Sequence, residues 1–205
     1  AFFTFPFTLY KACDQWVPPI TSEEKAIFNR GKNPVFENAD SKLFVVKNGN
    51  QILGRIAALI NWIEVKEQAK TKVRFGWYDT IDDLNVSRLL IDAVHEWGKQ
   101  NGLTYLEGPM GFSNMDKAGV LVQGYEYKNT MITWYHYPYQ KKHLEDLGLV
   151  KQAEWVEFQI KIFKAEDAPE KVKKYAELIS RRYELSALEF STRKELVPYV
   201  DKMFD

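Results

Sequence analysis

The sequence has a single cysteine, Cys13, among its 205 residues. One cysteine excludes a disulfide within the chain and a zinc site built from several cysteines. A lone cysteine is more often a small buried apolar residue than a nucleophile. The three histidines are scattered and show no ligand spacing. We therefore expect no metal site.

The chain also lacks a charge excess and a long apolar run. Its 28 basic and 28 acidic residues cancel, so composition gives no support for a nucleic-acid partner. No apolar run approaches the length of a membrane span, and no segment has the pattern of a signal peptide. We expect a cytoplasmic protein that binds neither nucleic acid nor membrane.

Aromatic side chains, in contrast, are abundant. They make up 15% of a chain that is otherwise 45% hydrophobic and 27% charged, which is an ordinary balance for a soluble globular protein. The aromatic excess indicates a large core, an aromatic-lined pocket, or both. The length allows one sizeable domain, or one domain and part of another.

The first half of the chain predicts three strands and a long helix. Asn48-Gly49 separates strand-like residues 42–46 from a return strand at 52–60, which is the strongest short signal of a hairpin. Residues 73–78 form a third predicted strand. Apolar residues then recur at three- and four-residue spacing and predict a helix over 84–100.

Further elements follow that helix. We predict strands at Leu103–Leu106, Thr130–Trp134 and Val150–Phe163, and a helix at Tyr139–Leu147. The helix at 84–100 would join two parallel strands. The predicted fold class is α+β, with a central mixed β-sheet flanked by helices.

Two domains are expected. Residues 1–163 form the first, and the polar stretch at 164–169 reads as a linker. Residues 164–205 would comprise that linker and the opening elements of a second, truncated domain: a helix to about Arg182, a strand at Leu185–Phe190, and a helix capped by Ser191 or Thr192. A further cap is predicted at Thr21, with Glu24 completing a capping box.

The start of the helix at 84–100 raises a question of charge. The stretch YDTIDDLNVSRLL has carboxylates where free N–H groups of a helix could bind phosphate. If Asp82 and Asp83 turn outward, the N–H groups of Asn85, Val86 and Ser87 stay free. If either turns inward, its carboxylate would repel a diphosphate bound at these N–H groups. Each pair of like charges 4 Å apart costs roughly 4 kcal/mol at an effective dielectric constant near 20.

Several stretches, taken in their order along residues 1–163, resemble the GNAT superfamily, the acyl-CoA-dependent N-acyltransferase fold. Together they are similar to a poorly characterised bacterial branch of it. The stretches that carry this resemblance are residues 5–10, 16–19, 51–56, 86–90, 107–112, 119–125 and 139–149.

The resemblance implies a function and a cofactor. The fold would lack its first strand, and the activity would be acyl transfer from acetyl-CoA or another acyl-CoA to a small acceptor that bears an amine. Residues matching the family's diphosphate loop and helix would bind the cofactor; these are Asn85, Val86, Ser87 and Arg88. Asp82 falls where the family has Arg or Gln, and Asp83 falls on a glycine or small-residue position.

Glu107 and Tyr139 are the catalytic candidates that the resemblance implies. Glu107 would act as a base or orient the amine, and Tyr139 would act as the acid. Leu144 stands at the position of the family's tyrosine and cannot donate a proton, and His143 is an adjacent substitute. The plainer interpretations are a solvated carboxylate for Glu107, a packed ring for Tyr139 and a surface residue for His143.

A small-molecule substrate would be bound by residues beside the expected cleft. The aromatic run Tyr135-His136-Tyr137, together with Tyr78, suits a pocket wall, although a packed aromatic sheet edge fits equally well. Asn114 and Asp116 lie in a loop after a strand and could contact a polar ligand or cap the next turn. An alternative function is a GNAT-fold binding module that binds no CoA. A third possibility is that the domain mainly packs against a second domain of the same chain.

Overall fold

A computed structural model of the chain describes residues 1–113, 115–161 and 164–204. The chain divides into two compact units, Ala1–Trp155 and Val156–Asp205. The candidate functional residues lie in the first unit.

The first unit is built on a four-stranded sheet with the order β1-β2-β3-β4. Its strands are β1 (Ala39–Asn48), β2 (Gln51–Asn61), β3 (Lys72–Thr80) and β4 (Tyr105–Glu107). The first three strands run antiparallel, whereas β3 and β4 run parallel. The predicted hairpin is confirmed, and Gly49 in its turn has a φ of +57°, which glycine adopts without steric cost.

Five helices accompany this sheet in the described part of the first unit. They are α1 (Phe5–Leu9), α2 (Thr21–Ile27), α3 (Trp62–Glu67), α4 (Leu84–Gln100) and α5 (Pro138–Asp146). The helix α4 joins the parallel strands as predicted, and the α+β class with a mixed sheet flanked by helices is confirmed. The short helices α1 and α3 carry too little apolar periodicity to be predicted.

One face of the sheet packs against α4. Val86, Leu90 and Val94 repeat every four residues along α4 and are buried against Ile56 and Phe75 of the sheet. Burying each of these side chains contributes roughly 1.5–3 kcal/mol. This layer therefore holds the start of α4 at a fixed place beside β3.

The opposite face carries a second, more aromatic core. Phe2 and Phe112 bury their rings there against Trp77 of β3 and against Ala57 and Leu59 of β2. The N-terminal segment thus covers the face of the sheet that α4 does not.

The second unit contains the helices α6 (Glu170–Arg182), α7 (Arg193–Leu196) and α8 (Val200–Phe204). Its described residues include no buried side chain. The side chain of Thr192, the residue before α7, does not cap the helix backbone. The interpretation of 164–205 as a linker and the opening of a second domain stays a prediction.

Three strand predictions and one cap prediction are wrong for the described residues. Residues 130–134, 150–161 and 185–190 form no strand, and residues 162–163 lie outside the description. Alternating side chains mark a segment that can form a strand, but a strand also needs a partner backbone, and the described chain places none beside these segments. Thr21 is the first residue of α2 and does not cap it, because Ile20 occupies the cap position.

Candidate functional site

Strand β3 contains a β-bulge near its middle. Two of its residues, Trp77 and Tyr78, stand opposite the single β2 residue Ile56. Trp77 has a φ of +49°, a conformation that bulky residues rarely adopt. Such backbone strain costs about 1–3 kcal/mol and persists where the surrounding structure enforces it. Just after the bulge, Tyr78 and Asp79 point to opposite faces of the sheet and belong to two separate polar networks.

The edge of β3 beyond this point is bordered by α5. Strand β4 pairs only with Lys72–Arg74. Further along β3, Gln140 Nε2 donates to the carbonyl oxygen of Tyr78 at 3.3 Å, and the Tyr139 hydroxyl donates to that of Thr80 at 2.8 Å. The regular parallel ladder therefore ends after three residue pairs, and side chains of α5 satisfy carbonyl groups that a longer β4 would otherwise reach.

The amide groups at the start of α4 already have acceptors. The Asp83 carboxylate accepts a hydrogen bond from the Asn85 N–H at 2.8 Å. The Asp83 carbonyl oxygen accepts from the N–H groups of Val86 and Ser87, at 3.1 and 3.3 Å. Asp83 therefore turns inward, toward the N–H groups of α4. This is one of the two orientations that the sequence left open.

The residues at this helix start do not fit the diphosphate of CoA. A diphosphate would have to displace the Asp83 carboxylate from the Asn85 N–H and would face the charge of Asp82 as well. No glycine lies between Tyr78 and Arg88 to let a phosphate approach the backbone closely. Arg88 and Asn85 are exposed, whereas Val86 and Ser87 are buried.

A buried chain of hydrogen bonds joins the bulge to the helix start. The Tyr78 hydroxyl donates to Ser87 Oγ at 2.8 Å, and Ser87 Oγ lies 2.9 Å from His143 Nδ1. His143 Nε2 lies 3.3 Å from an Asp82 oxygen. Burial raises the pKa of Tyr78, so its phenol stays protonated. The interpretation of His143 as a surface residue is wrong, because Ser87 and Asp82 hold its ring in the interior.

A second network lies on the opposite face, around a buried ion pair. Arg55 Nε donates to Asp79 Oδ2 at 2.7 Å, and the Tyr10 hydroxyl donates to Asp79 Oδ1 at 2.8 Å. Arg55 also donates to the carbonyl oxygen of Phe2 at 3.2 Å. Our sequence reasoning missed this network. Charged residues inside two otherwise apolar strands were the signal that could have revealed it.

A small cavity adjoins this ion pair. Its volume is about 20 Å³, and Glu24, Arg55, Asp79 and Lys117 are among its lining residues. Glu24 Oε1 accepts from Trp77 Nε1 at 3.0 Å, while Glu24 Oε2 lies 3.6 Å from Arg55 Nη1. Burial lowers the pKa of Lys117, and the nearby Glu24 charge only partly opposes this.

The aromatic run proposed as a pocket wall is partly packed in the interior, and its role in binding stays a prediction. The Tyr135 hydroxyl donates to the carbonyl oxygen of Tyr125 at 3.1 Å. The rings of Tyr137 and Tyr139 are stacked with their centroids 5.6 Å apart. Burial raises the pKa of each of these three tyrosine phenols at positions 135, 137 and 139. These side chains are therefore hydrogen-bond donors and not bases.

His136 is fully buried beside this wall. Its Nδ1 accepts a hydrogen bond from the Leu121 N–H at 3.3 Å. Burial lowers the pKa of His136 to about 4, and the Asp79 charge opposes this shift. The imidazole is therefore neutral at pH 7 and cannot act as an acid there.

The structure does not bring Glu107 and Tyr139 together. Glu107 pairs with Arg74 in the β-ladder, and its carboxylate contacts Lys72. The Tyr139 hydroxyl bonds to Thr80, six residues further along β3, which is roughly 20 Å at 3.3 Å per residue. One reacting atom could not contact both side chains in this arrangement.

The two remaining substrate-binding candidates follow β4 in the sequence. Asn114 is outside the described residues. Asp116 Oδ2 accepts from the backbone N–H of Ser113 at 2.8 Å, which is the turn-capping alternative. Asp116 is therefore committed to its own loop in this structure.

Comparison with known proteins finds two relatives. The chain is 30% identical over 151 residues to "Protein YghO" of Escherichia coli (strain K12), which covers 74% of this chain and 38% of that protein. It is 26% identical over 170 residues to "Bacterial ceramide synthase" of Caulobacter vibrioides (strain NA1000 / CB15N), covering 82% and 44% respectively. The chain thus spans less than half the length of either relative. No family model and no solved structure matches it.

Among the described residues, no group of three or more His, Cys, Asp or Glu side chains could hold a metal ion. None of the helices described combines the length and apolarity that a membrane-spanning segment requires.

The cap at the start of α4 can be tested by replacing Asp83 with alanine. We expect the free energy of unfolding to fall by about 1 kcal/mol, the usual cost of losing an aspartate N-cap. The control is Asp92→Ala on the exposed side of α4, which should change it by no more than about 0.5 kcal/mol. Urea unfolding measures both. An Asp83→Ala loss no larger than the control's would contradict the cap.

The buried His136 predicts a dependence of stability on pH. Its pKa is about 4 in the folded chain, against an ordinary value of 6.5. Between pH 4 and pH 6.5, His136 is therefore protonated in the unfolded chain and neutral in the folded chain. Stability should therefore fall as the pH drops from 6.5 to 4, by about 3 kcal/mol from this group. The variant His136→Asn should show a correspondingly shallower slope in unfolding experiments between pH 4.5 and 7.5. An unchanged slope would show that His136 is not the group responsible.

Proposed function

We propose that the chain is part of an N-acyltransferase that transfers an acyl group from an acyl-CoA to a small acceptor bearing an amine. The observation that carries this proposal is the similarity to the protein named bacterial ceramide synthase, which extends over 82% of the chain. A ceramide is an amide of a fatty acid and a long-chain amino alcohol, so its synthesis joins an acyl group to an amine.

The fold supports the same proposal. The mixed sheet, the parallel pair β3–β4 and the connecting helix α4 are the elements that the GNAT resemblance of residues 1–163 implies. The bulge at Trp77 and the early end of the β3–β4 ladder make this part of the sheet irregular. Irregular strand edges of this kind often adjoin active sites.

Tyr139 is the better placed of the two catalytic candidates. Burial raises its pKa, so the phenol carries the proton that an acid needs, but the raised pKa also makes it a weaker acid. Its hydroxyl already lies at the edge of β3, on the carbonyl oxygen of Thr80. Glu107 is paired with Lys72 and lies too far from Tyr139 for both to act on one reacting atom.

A second candidate function is a binding module with the same fold that does not bind CoA. The observation that favours it is the Asp83 carboxylate on the N–H of Asn85, where a CoA diphosphate would otherwise be held. Under the transferase proposal, the acyl donor must be held mainly by contacts to its acyl and pantetheine parts.

Both functions can be tested with the full-length protein that contains this chain. We would incubate it with acetyl-CoA or a long-chain acyl-CoA and a long-chain 2-amino alcohol, and measure amide by mass spectrometry and thiol release by absorbance. We expect amide to form. Because α4 offers no diphosphate site, the matching acyl-pantetheine should react with a kcat/KM within about tenfold, or 1.4 kcal/mol.

Two results would contradict these expectations. If no donor yields an amide and millimolar acyl-CoA leaves the melting temperature unchanged, the binding module is favoured, since a bound ligand raises that temperature by mass action. If acyl-CoA reacts far better than acyl-pantetheine, the nucleotide part is bound after all.

A further inference from the structure

The cavity beside the Arg55–Asp79 ion pair has an uneven charge distribution. Arg55 faces two carboxylates, those of Asp79 and Glu24, and only Asp79 makes a close contact with its guanidinium, at 2.7 Å. Glu24 Oε2 is 3.6 Å from the nearest guanidinium nitrogen, which is too long for a good hydrogen bond. The Glu24 side chain is nevertheless 91% buried. Its Oε1 accepts from Trp77 Nε1 at 3.0 Å, so Oε2 is the buried carboxylate oxygen without a close donor, which is costly.

Lys117 is the other cation that lines the cavity. Burial lowers its pKa, and among the described residues it forms no ion pair within 4 Å with Glu24 or Asp79. Glu24 Oε2 therefore has no cation in close contact. The cavity suits a ligand that brings a positively charged hydrogen-bond donor to this oxygen.

The size and walls of the cavity favour an amine. A volume of about 20 Å³ holds about one water molecule, and the nitrogen of a primary amine has a similar size. Trp16, Trp134 and Tyr135 also line the cavity. Aromatic rings attract ammonium groups and pack against the apolar chain that an amine carries.

We propose that this cavity binds the amine of the acceptor, with Glu24 Oε2 accepting a hydrogen bond from the amine and the three aromatic side chains contacting the adjoining carbon chain. This inference rests on the proposed acyl transfer for its biological purpose. It assigns the acceptor class as an amphipathic primary amine. Lys117 lowers the affinity for the cationic form of the acceptor, because its own charge competes for Glu24.

The test uses three probes that share one chain and differ in the head group: octylamine, octanoate and octan-1-ol. The full-length protein is titrated with each probe, without an acyl donor, and binding is followed by calorimetry and by tryptophan fluorescence. We expect octylamine to bind at least tenfold more tightly than octanoate or octan-1-ol. Because no acyl donor is present, a failure of the proposed acyl transfer would not affect this result.

Three variants locate the binding. Glu24→Gln retains an oxygen for Trp77 and should weaken octylamine binding at least tenfold. Its control is Glu23→Gln, the exposed neighbour on α2, which should bind as the parent does. Lys117→Met should retain or tighten octylamine binding because it removes a competing positive charge.

The opposite results would overturn the proposal. Preferred binding of octanoate, with its loss in Lys117→Met, would make the cavity an anion site. Equal binding of all three probes, or no binding of octylamine, would remove the amine assignment. So would an unchanged affinity in Glu24→Gln. If Glu24→Gln does not fold, weakening in Lys117→Met would overturn the proposal independently.

Discussion

The buried ion pair between Arg55 and Asp79 is the interaction on which the arrangement of the first unit depends. It crosses from β2 to β3 next to the bulge. The same two side chains hold the Tyr10 hydroxyl and the carbonyl oxygen of Phe2. Through these hydrogen bonds, the pair holds the N-terminal segment against one face of the sheet. Removing one partner of such a pair commonly costs about 3–5 kcal/mol, because the other charge stays buried.

Polar groups lie on both faces of β3 because successive side chains of a strand alternate, and the bulge places Tyr78 on the same face as Phe75. Tyr78 points toward α4 and α5 and reaches Ser87, while the next residue, Asp79, points to the opposite face and reaches Arg55. One network fixes the start of α4, and the other forms the wall of the amine-sized cavity. The start of α4 has Asp83 in place of an open anion site, so it does not fit the diphosphate of a nucleotide.

The sequence predicts what local signals determine. Asn48-Gly49 specified the hairpin, and the spacing of apolar residues specified α4 and hence the parallel pair β3–β4. The position of His143 depends on contacts between α4 and α5 that no local pattern encodes. The same holds for the Arg55–Asp79 pair, which joins residues on different strands. The alternation of apolar and polar residues at 150–161 predicted a strand wrongly. Such a pattern describes one segment and does not show whether a second strand lies beside it.

A double-mutant cycle on Arg55 and Asp79 tests the central claim most directly. Unfolding free energies would be measured for Arg55→Met, Asp79→Asn and the double variant. If the pair anchors the N-terminal segment, the double variant should lose less than the sum of the single losses, by at least about 1 kcal/mol. Losses that add to within about 0.5 kcal/mol would show that the two residues act independently and would contradict this account.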